Sequence, residues 1–259
     1  MEGAKKYDSN LLKGTGLVQE TLVLLDAYED GMSKDQFLAK VLDADLLGKS
    51  TEKRVIDIIK QVFYKRYWNG ENPVAKYLKL MRDQFIGIDV LSQIFLVYTC
   101  RTNIILGDFI KQVYFPFINK GFQKLESNDP KDFIRSAIAD NRISGNWSDS
   151  TINKVSEHII ATLIDYRLID SSKRILPSHM LDLTANYLIH ELHFTKYSDN
   201  QILQHEDWKL FNLDKHEITK KIESLSYKGT FLYQYSGEIL RITWKYKNMT
   251  EFIKNECRY

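Results

Sequence analysis

Along most of the chain, apolar residues recur every three or four positions, the spacing of a helix with one buried face. From about 16 to 30 the stripe is Val18, Leu22 and Leu25. Ser33 and Gln36 have capping-box spacing and open a second helix carrying Phe37, Val41 and Leu42. A third opens at Ser50 or Thr51 and runs to Trp68 on the stripe Val55, Ile58, Ile59, Val62 and Phe63. Three helices with short turns read as a helix-turn-helix-like bundle. Asn69-Gly-Glu-Asn-Pro73 then breaks the pattern. Helices are expected over 74–82, 84–99 and 103–126 as a central helical core. Ile104 to Phe122 is apolar enough to need packing inside the protein or against a partner, and Pro116 is expected to kink it.

The second half repeats one order of elements twice. Asp129 as N-cap and Pro130 at the first helical position start a helix to about Asp140. After the loop Ile143 to Asn146, a helix from Ser148 to Tyr166 carries Ile152, Val155, Ile159 and Leu163. Leu168-Ile169, a polar turn over 170–174 and Ile175-Leu176 make a short hairpin. Further on, Ser198 with Gln201 and Asp214 with Glu217 have capping-box spacing. The helix after Asp214 buries Ile218, Ile222 and Leu225 and stops at Gly229. Thr230 to Tyr235, a Ser236-Gly237 turn and Glu238 to Trp244 read as a β-hairpin. Helix, helix, hairpin is the order of a winged helix-turn-helix. The expected fold class is therefore mainly α: a multi-helix bundle with small winged helix-turn-helix-like units carrying short β-hairpins. The expected domains are 1–127, helical with a helix-turn-helix-like start, and 128–259, with winged-helix-like units at about 131–177 and 181–247. No sequence repeat links those two units, so their pairing rests on element order.

Composition narrows the function. At 259 residues, with 44% hydrophobic and 27% charged residues, the chain can bury a large core. Net charge is only +2, so a nucleic-acid role must rest on local basic patches. Two cysteines, Cys100 and Cys257, are too few for a disulfide framework or a zinc site, which fits a reduced, cytoplasmic protein. The start, Met1 to Lys6, lacks the apolar core of a signal peptide. Phe85 to Cys100 is the most membrane-like run, but Asp89, Ser92 and Gln93 interrupt it, and a bilayer needs about 20 apolar residues. It reads as a buried helix, and no membrane association is expected.

Little in the sequence argues for catalysis. Gly48-Lys49-Ser50 resembles the tail of a P-loop, but Asp43 stands where that motif needs glycine. His190 and His193 are three apart, not the four of a metalloprotease helix, and no third ligand is evident. An amphipathic helix with partly exposed histidines is the simpler reading. No catalytic residue, metal, cofactor or small-molecule substrate is expected. The basic positions are more telling. Lys49, Ser50, Thr51, Lys53 and Arg54 gather at one helix start, where backbone N–H groups and hydroxyls can hold a phosphate. Plain capping and a solvated face explain the same residues. Ser148, Ser150, Thr151 and Lys154 form a similar group, which Lys173 and Arg174 extend onto the hairpin. There too, Ser148 as an N-cap and Trp147 as a hydrophobic staple are the bland alternative. Lys215, Lys220 and Lys221 on the last capped helix, with Arg241, Lys245 and Lys247 on the hairpin side, form the third group. Trp208, Phe211, Tyr233 and Trp244 read as packing residues.

A family likeness runs through these same stretches. Ser198-Asp199, Ile202-Leu203, His205, Trp208 to Phe211, Leu213, Arg241-Ile242, Trp244 and Tyr246-Lys247 carry it at the C-terminal end. Gly31 to Lys34, Leu46-Leu47, Lys49 to Thr51, and Asn146 to Lys154 carry it earlier. The chain resembles the BrxA family, small proteins encoded in BREX phage-exclusion operons and once labelled as inner-membrane proteins. The resemblance implies a role in BREX anti-phage defence. Joined to the basic positions, it suggests non-catalytic binding of double-stranded DNA, mainly through the phosphate backbone, with other BREX proteins as further partners. The alternative is a protein-interaction adaptor that docks BREX subunits without touching DNA. RNA binding would use the same charges.

Overall fold

Side-chain caps fix where the helices begin. In the computed structural model, which describes residues 6–70, 74–236 and 239–257, Ser33, Ser198 and Asp214 each accept from the N–H three residues on. Gln36, Gln201 and Glu217 reach back to the cap N–H. Thr51 and Ser148 cap their helices by the same side-chain-to-backbone bond, accepting from Arg54 and Thr151. Each such cap satisfies an N–H that the helix itself leaves unpaired. The resulting fold is mainly helical, with one two-stranded sheet among the described residues. Gly237 and Glu238 at the hairpin turn, most of the Asn69–Pro73 break and the first five residues lie outside them.

The chain forms two compact units, one of Met1–Val74 with Phe95–Pro177, the other of Ala75–Ile94 with Ser178–Tyr259. The stretch 131–177 thus belongs to the first and 181–247 to the second. In the first unit, α1 (Val18–Ala27), α2 (Lys34–Asp43) and α3 (52–67) pack around aromatic rings. Phe37 stacks on Phe63 at 5.4 Å, and Trp68 meets Phe37 and Tyr28 edge-on. The middle of α3, Ile58–Phe63, is wound as a π-helix, which spreads one extra residue per turn without ending the rod.

Arg66, on α3, is buried, with no carboxylate partner among the described residues. Its guanidinium donates to the carbonyls of Gly14, Thr15 and Gly16 at 2.8–3.2 Å. From the other side the Asp165 carboxylate accepts from the N–H groups of Gly16, at 2.8 Å, and Leu17. The strap has no spare room. A Cβ on Gly16 would sit 2.5 Å from the Asp165 Cβ, and one on Gly14 2.7 Å from Val62 and Leu17 atoms.

The apolar run after the break folds as α4 (Val74–Asp83), α5 (Ile88–Thr102) and α6 (104–119). Proline at 116 lacks an N–H and crowds the carbonyl four residues back; the turn before it, Ile110–Tyr114, widens to a π-helix. The expected helix over 103–126 ends early, at Asn119, because Gly121 turns the chain with φ +83°. Residues 123–125 are extended instead. They join the hairpin that follows α7 (Asp129–Ala139) and α8 (Asp149–Asp165). Lys124 bridges to Arg174, and Ile169 to Ile175. The Leu125 N–H donates to the Lys173 carbonyl at 3.0 Å and the Ile175 N–H to that of Gln123 at 2.9 Å.

In the second unit, α9 (Asp182–Phe194), α10 (Asp199–Leu203), a 3₁₀ turn (Glu206–Phe211) and α11 (Lys215–Ser226) precede β1 (Phe231–Ser236) and β2 (Ile239–Trp244). Gly229, at φ +78°, makes the turn from α11 into β1. The strands pair antiparallel, with Phe231 opposite Trp244 and Gln234 opposite Arg241. The helix α12 (Met249–Glu256) closes the unit. Trp208 is fully buried and its indole N–H donates to the Ile202 carbonyl at 2.6 Å.

His190 corrects the expectation of partly exposed histidines. It is fully buried, stacked on Phe252 at 3.9 Å with Trp244 edge-on at 5.3 Å. Its Nδ1 pairs with the Asn186 carbonyl at 2.9 Å. Burial pushes its pKa down to about 4. Its neighbour His193, half-buried, stacks on Trp244 at 3.8 Å.

Candidate nucleic-acid interface

The structure divides the basic positions into those already engaged and those facing water. At the start of α3, Lys49 is held by Glu20 at 2.6 Å. Arg54 donates to the Lys13 carbonyl at 2.8 Å, and Thr51 is occupied as the cap. Ser50 and Lys53 are exposed, beside Glu52. At the start of α8, Ser148 and Thr151 bond to each other and to the backbone. Ser150 and Lys154 are exposed, with Asp149 close by in sequence.

On the neighbouring hairpin, the Arg174 side chain folds onto Asp170 at 2.8 Å. Backbone N–H donation from Arg174 is the main reason the Asp170 carboxyl lies below its usual range. Lys173 sits at φ +64° and donates to the Ser127 hydroxyl. There it lines a cleft of about 340 Å³ together with Lys131, Glu157, Ile160, Ala161 and Ile164.

Of the three groups of basic positions, the one in the second unit keeps the most exposed cations. Lys215, Lys220, Arg241 and Lys247 are exposed, and none has an ion pair among the described residues. Lys221 differs: it bonds the Met180 carbonyl at 3.0 Å and Asp182 at 2.7 Å, while Lys228 reaches the same carboxylate at 2.6 Å. The hydrogen bond from Lys221, then that from Lys228, holds the Asp182 carboxyl below its usual range. Lys245 pairs with Glu256 at 3.2 Å and lies over the Tyr246 ring; hydrogen bonds to Tyr246 and Glu256 raise its pKa. Alternation on the hairpin turns Phe231, Ile242 and Trp244 inward and Leu232, Gln234, Arg241 and Thr243 outward.

Two side-chain groupings escape sequence reasoning. Asp182 pairs with two lysines from 39 and 46 positions away. Lys131 shares a cleft with Lys173 although no local pattern joins them. Only tertiary packing brings these pairs together. No group of three His, Cys, Asp or Glu converges among the described residues. Among them, too, no single helix is long and apolar enough to cross a membrane; 88–102 and 104–119 would suffice together but are bent by 112°.

What emerges is a mainly helical protein with exposed cations on several helices and on one hairpin. The chain belongs to the BrxA family, whose model matches residues 5–192. It is accordingly a component of a BREX phage-exclusion system. The C-terminal hairpin lies beyond the matched residues. The fold is also similar to the crystal structure of an uncharacterized protein from Magnetospirillum magneticum. That likeness has a TM-score of 0.59 at 16% identity and covers 80% of this chain and 98% of that one. Comparison with curated proteins gives no match.

Proposed function

We propose that the protein serves its BREX system by binding double-stranded DNA without catalysis, mainly through the phosphate backbone. One observation carries this reading: Lys215 and Lys220 on α11, Arg241 on β2 and Lys247 just after it are exposed and have no ion pair among the described residues. The order α9, α10, α11, hairpin is that of a winged helix-turn-helix, in which α11 would enter the major groove and the hairpin follow the adjacent backbone. In the first unit α7, α8 and the hairpin at 168–176 have the same order, with 123–125 as the extra strand such folds use. Lys53 and Lys154, with Ser50 and Ser150, offer further phosphate contacts there. In this role the protein works in the cytoplasm and needs no cofactor, metal or small-molecule substrate.

Each cation that neutralises a phosphate releases a counterion, so affinity falls with salt by a log–log slope of about −0.9 per contact. Fluorescence anisotropy with a labelled mixed-sequence duplex at several salt concentrations tests this. Saturable binding is expected, with a slope of magnitude about 3–4 from the four free cations. Lys220→Ala with Arg241→Ala should lower both affinity and slope. No binding at low salt would sink the reading, and tighter binding of an RNA duplex would redirect it.

A second reading, an adaptor that docks other BREX subunits, has its own support. Phe85, Tyr227 and Leu232, all in the second unit, are 83%, 82% and 68% exposed. Large apolar groups left in water are often contact anchors. Phe85→Ala should then weaken co-purification with a BREX partner while leaving duplex affinity alone.

A further inference from the structure

By element order α8 is the helix of the first unit that would read a groove, yet its outward face changes character along its length. The first turns carry Ser150, Asn153 and Lys154. From Glu157 onward the positions facing out have no cation: Glu157, Ile160, Ala161 and Ile164. The last three are half-buried rather than exposed, because they floor the cleft of about 340 Å³ beside Ser127. The opposite flanks of the helix are already committed. Ile152, Val155, Ile159 and Leu163 face the core. His158 pairs with the Leu11 carbonyl at 3.0 Å, and Asp165 grips the strap.

The same cleft is lined by two ammonium groups, Lys131 and Lys173, and by one carboxylate, Glu157, so its charged lining is positive by one. Neither lysine has a carboxylate partner among the described residues, and Lys173 meets only the Ser127 hydroxyl. The turn that presents Lys173 is fixed by the Asp170 carboxylate, which accepts from the N–H groups of Ser172 and Arg174 at 2.8 and 2.9 Å. A phosphate backbone matches the lysines but gains nothing from Ile160, Ala161 and Ile164. An aliphatic side chain matches the floor but leaves the lysines unused. A peptide with both features matches the apolar residues and both lysines, which outnumber the one carboxylate, Glu157. The cleft's volume sits at the low end for a binding pocket, about twice that of a cavity that holds benzene, enough for one or two aliphatic side chains.

We propose that this cleft docks a protein segment in which one or two leucine-, isoleucine- or methionine-sized side chains are flanked by carboxylates. The occupant is a segment of another BREX protein, and the first unit thereby holds a partner while the second unit meets DNA. The inference does not need the DNA reading to be right.

The test uses an array of 15-residue peptides tiled across the other BREX proteins encoded with this one, probed with the full chain. Peptides with an aliphatic centre and acidic flanks should be retained. Lys131→Glu should weaken them at least tenfold, and Ile160→Glu should do the same by filling the floor with charge. Lys131→Glu places an acid in the first turn of α7, which favours helix stability, so loss of folding does not explain the loss of binding. Exchanging the acidic flanks of a retained peptide for lysines should restore binding to Lys131→Glu and abolish it for the wild type. A purely structural role for Lys131 would not produce that reciprocal swap. Duplex affinity should be the same for wild type and Lys131→Glu. The proposal is overturned if no acidic–aliphatic peptide is retained, if Lys131→Glu leaves retention unchanged, or if basic peptides are retained equally well. It also falls if Lys131→Glu instead lowers duplex affinity, which would make the cleft part of a phosphate surface.

Discussion

The hairpin of the first unit and the hairpin of the second are anchored by different kinds of bond. At 168–176 the hairpin is a stub, and its outer edge is covered by backbone: 123–125 supplies a third strand. The second hairpin has six-residue strands and no third strand among the described residues. On β2 the Ile242 N–H donates instead to the Asp199 carboxylate at 2.8 Å, a side chain standing where the other unit has a carbonyl. Its inner face rests on His190 and His193 through Trp244 and Phe231. The longer hairpin, which carries Arg241 outward, therefore depends on side chains that can titrate or be replaced. The shorter one depends on backbone, which cannot. The longer strands come with weaker edge protection.

Acid should separate the two most clearly. His190 is held neutral in the fold, with a pKa of about 4 against 6.5 when unfolded. Its contribution to stability is complete above pH 6.5 and is lost as pH falls from 6.5 toward 4. That loss amounts to about 3 kcal/mol. Hydrogen exchange between pH 7 and pH 4.5 should show the second hairpin and α12 losing protection while 123–125 and 168–176 keep theirs. His190→Phe should flatten the pH dependence. Equal acid sensitivity in both hairpins would remove the distinction.

Next in size is the strap that packs against α8. Gly16→Ala forces a Cβ to within 2.5 Å of the Asp165 Cβ, so Arg66 or Asp165 must yield part of its bonding. Overpacking of this kind costs about 1–3 kcal/mol. Gly31→Ala meets no atom within 4 Å; its φ of +85° is its only penalty, so the loss should be smaller. Denaturant titration of both variants ranks them. Asp199→Ala should cost about 1–2 kcal/mol by leaving the Ile242 N–H unpaired, with exchange accelerating along β2 first. No single side-chain deletion should do the same to 123–125.

These contrasts also mark what the sequence reveals. The helix starts at Ser33, Thr51, Ser148, Ser198 and Asp214 are legible because a cap is a local pattern three residues wide. The long hairpin is legible because aromatic and β-branched residues alternate about a turn. The 123–125 strand is not, since its partners lie about 50 residues away and its own residues read equally well as a helix end. His190 looks half-exposed in a helical pattern; only the fold brings Phe231, Trp244 and Phe252 around it. The candidate interface suffers most. Composition and spacing single out Lys220 and Lys221 alike, while their difference lies in Asp182, far away in the chain.

That pair supplies the smallest effect and the sharpest test of the interface. Lys220 has no partner among the described residues and points to water; Lys221 is tied to Asp182 and the Met180 carbonyl, its side chain only 23% exposed. If duplex binding rests on free cations, Lys220→Ala should lower the log–log salt slope by about 0.9 without changing stability. Lys221→Ala should leave the slope as it was and cost up to about 1 kcal/mol, because a half-screened ion pair and its packing are lost. Salt-dependent anisotropy and thermal unfolding on the two variants give four numbers. Should Lys221→Ala lower the slope as much as Lys220→Ala, Lys221 must leave Asp182 to meet phosphate. The carboxylate would then act as a competitor for the lysine, and Asp182→Asn would tighten binding at low salt.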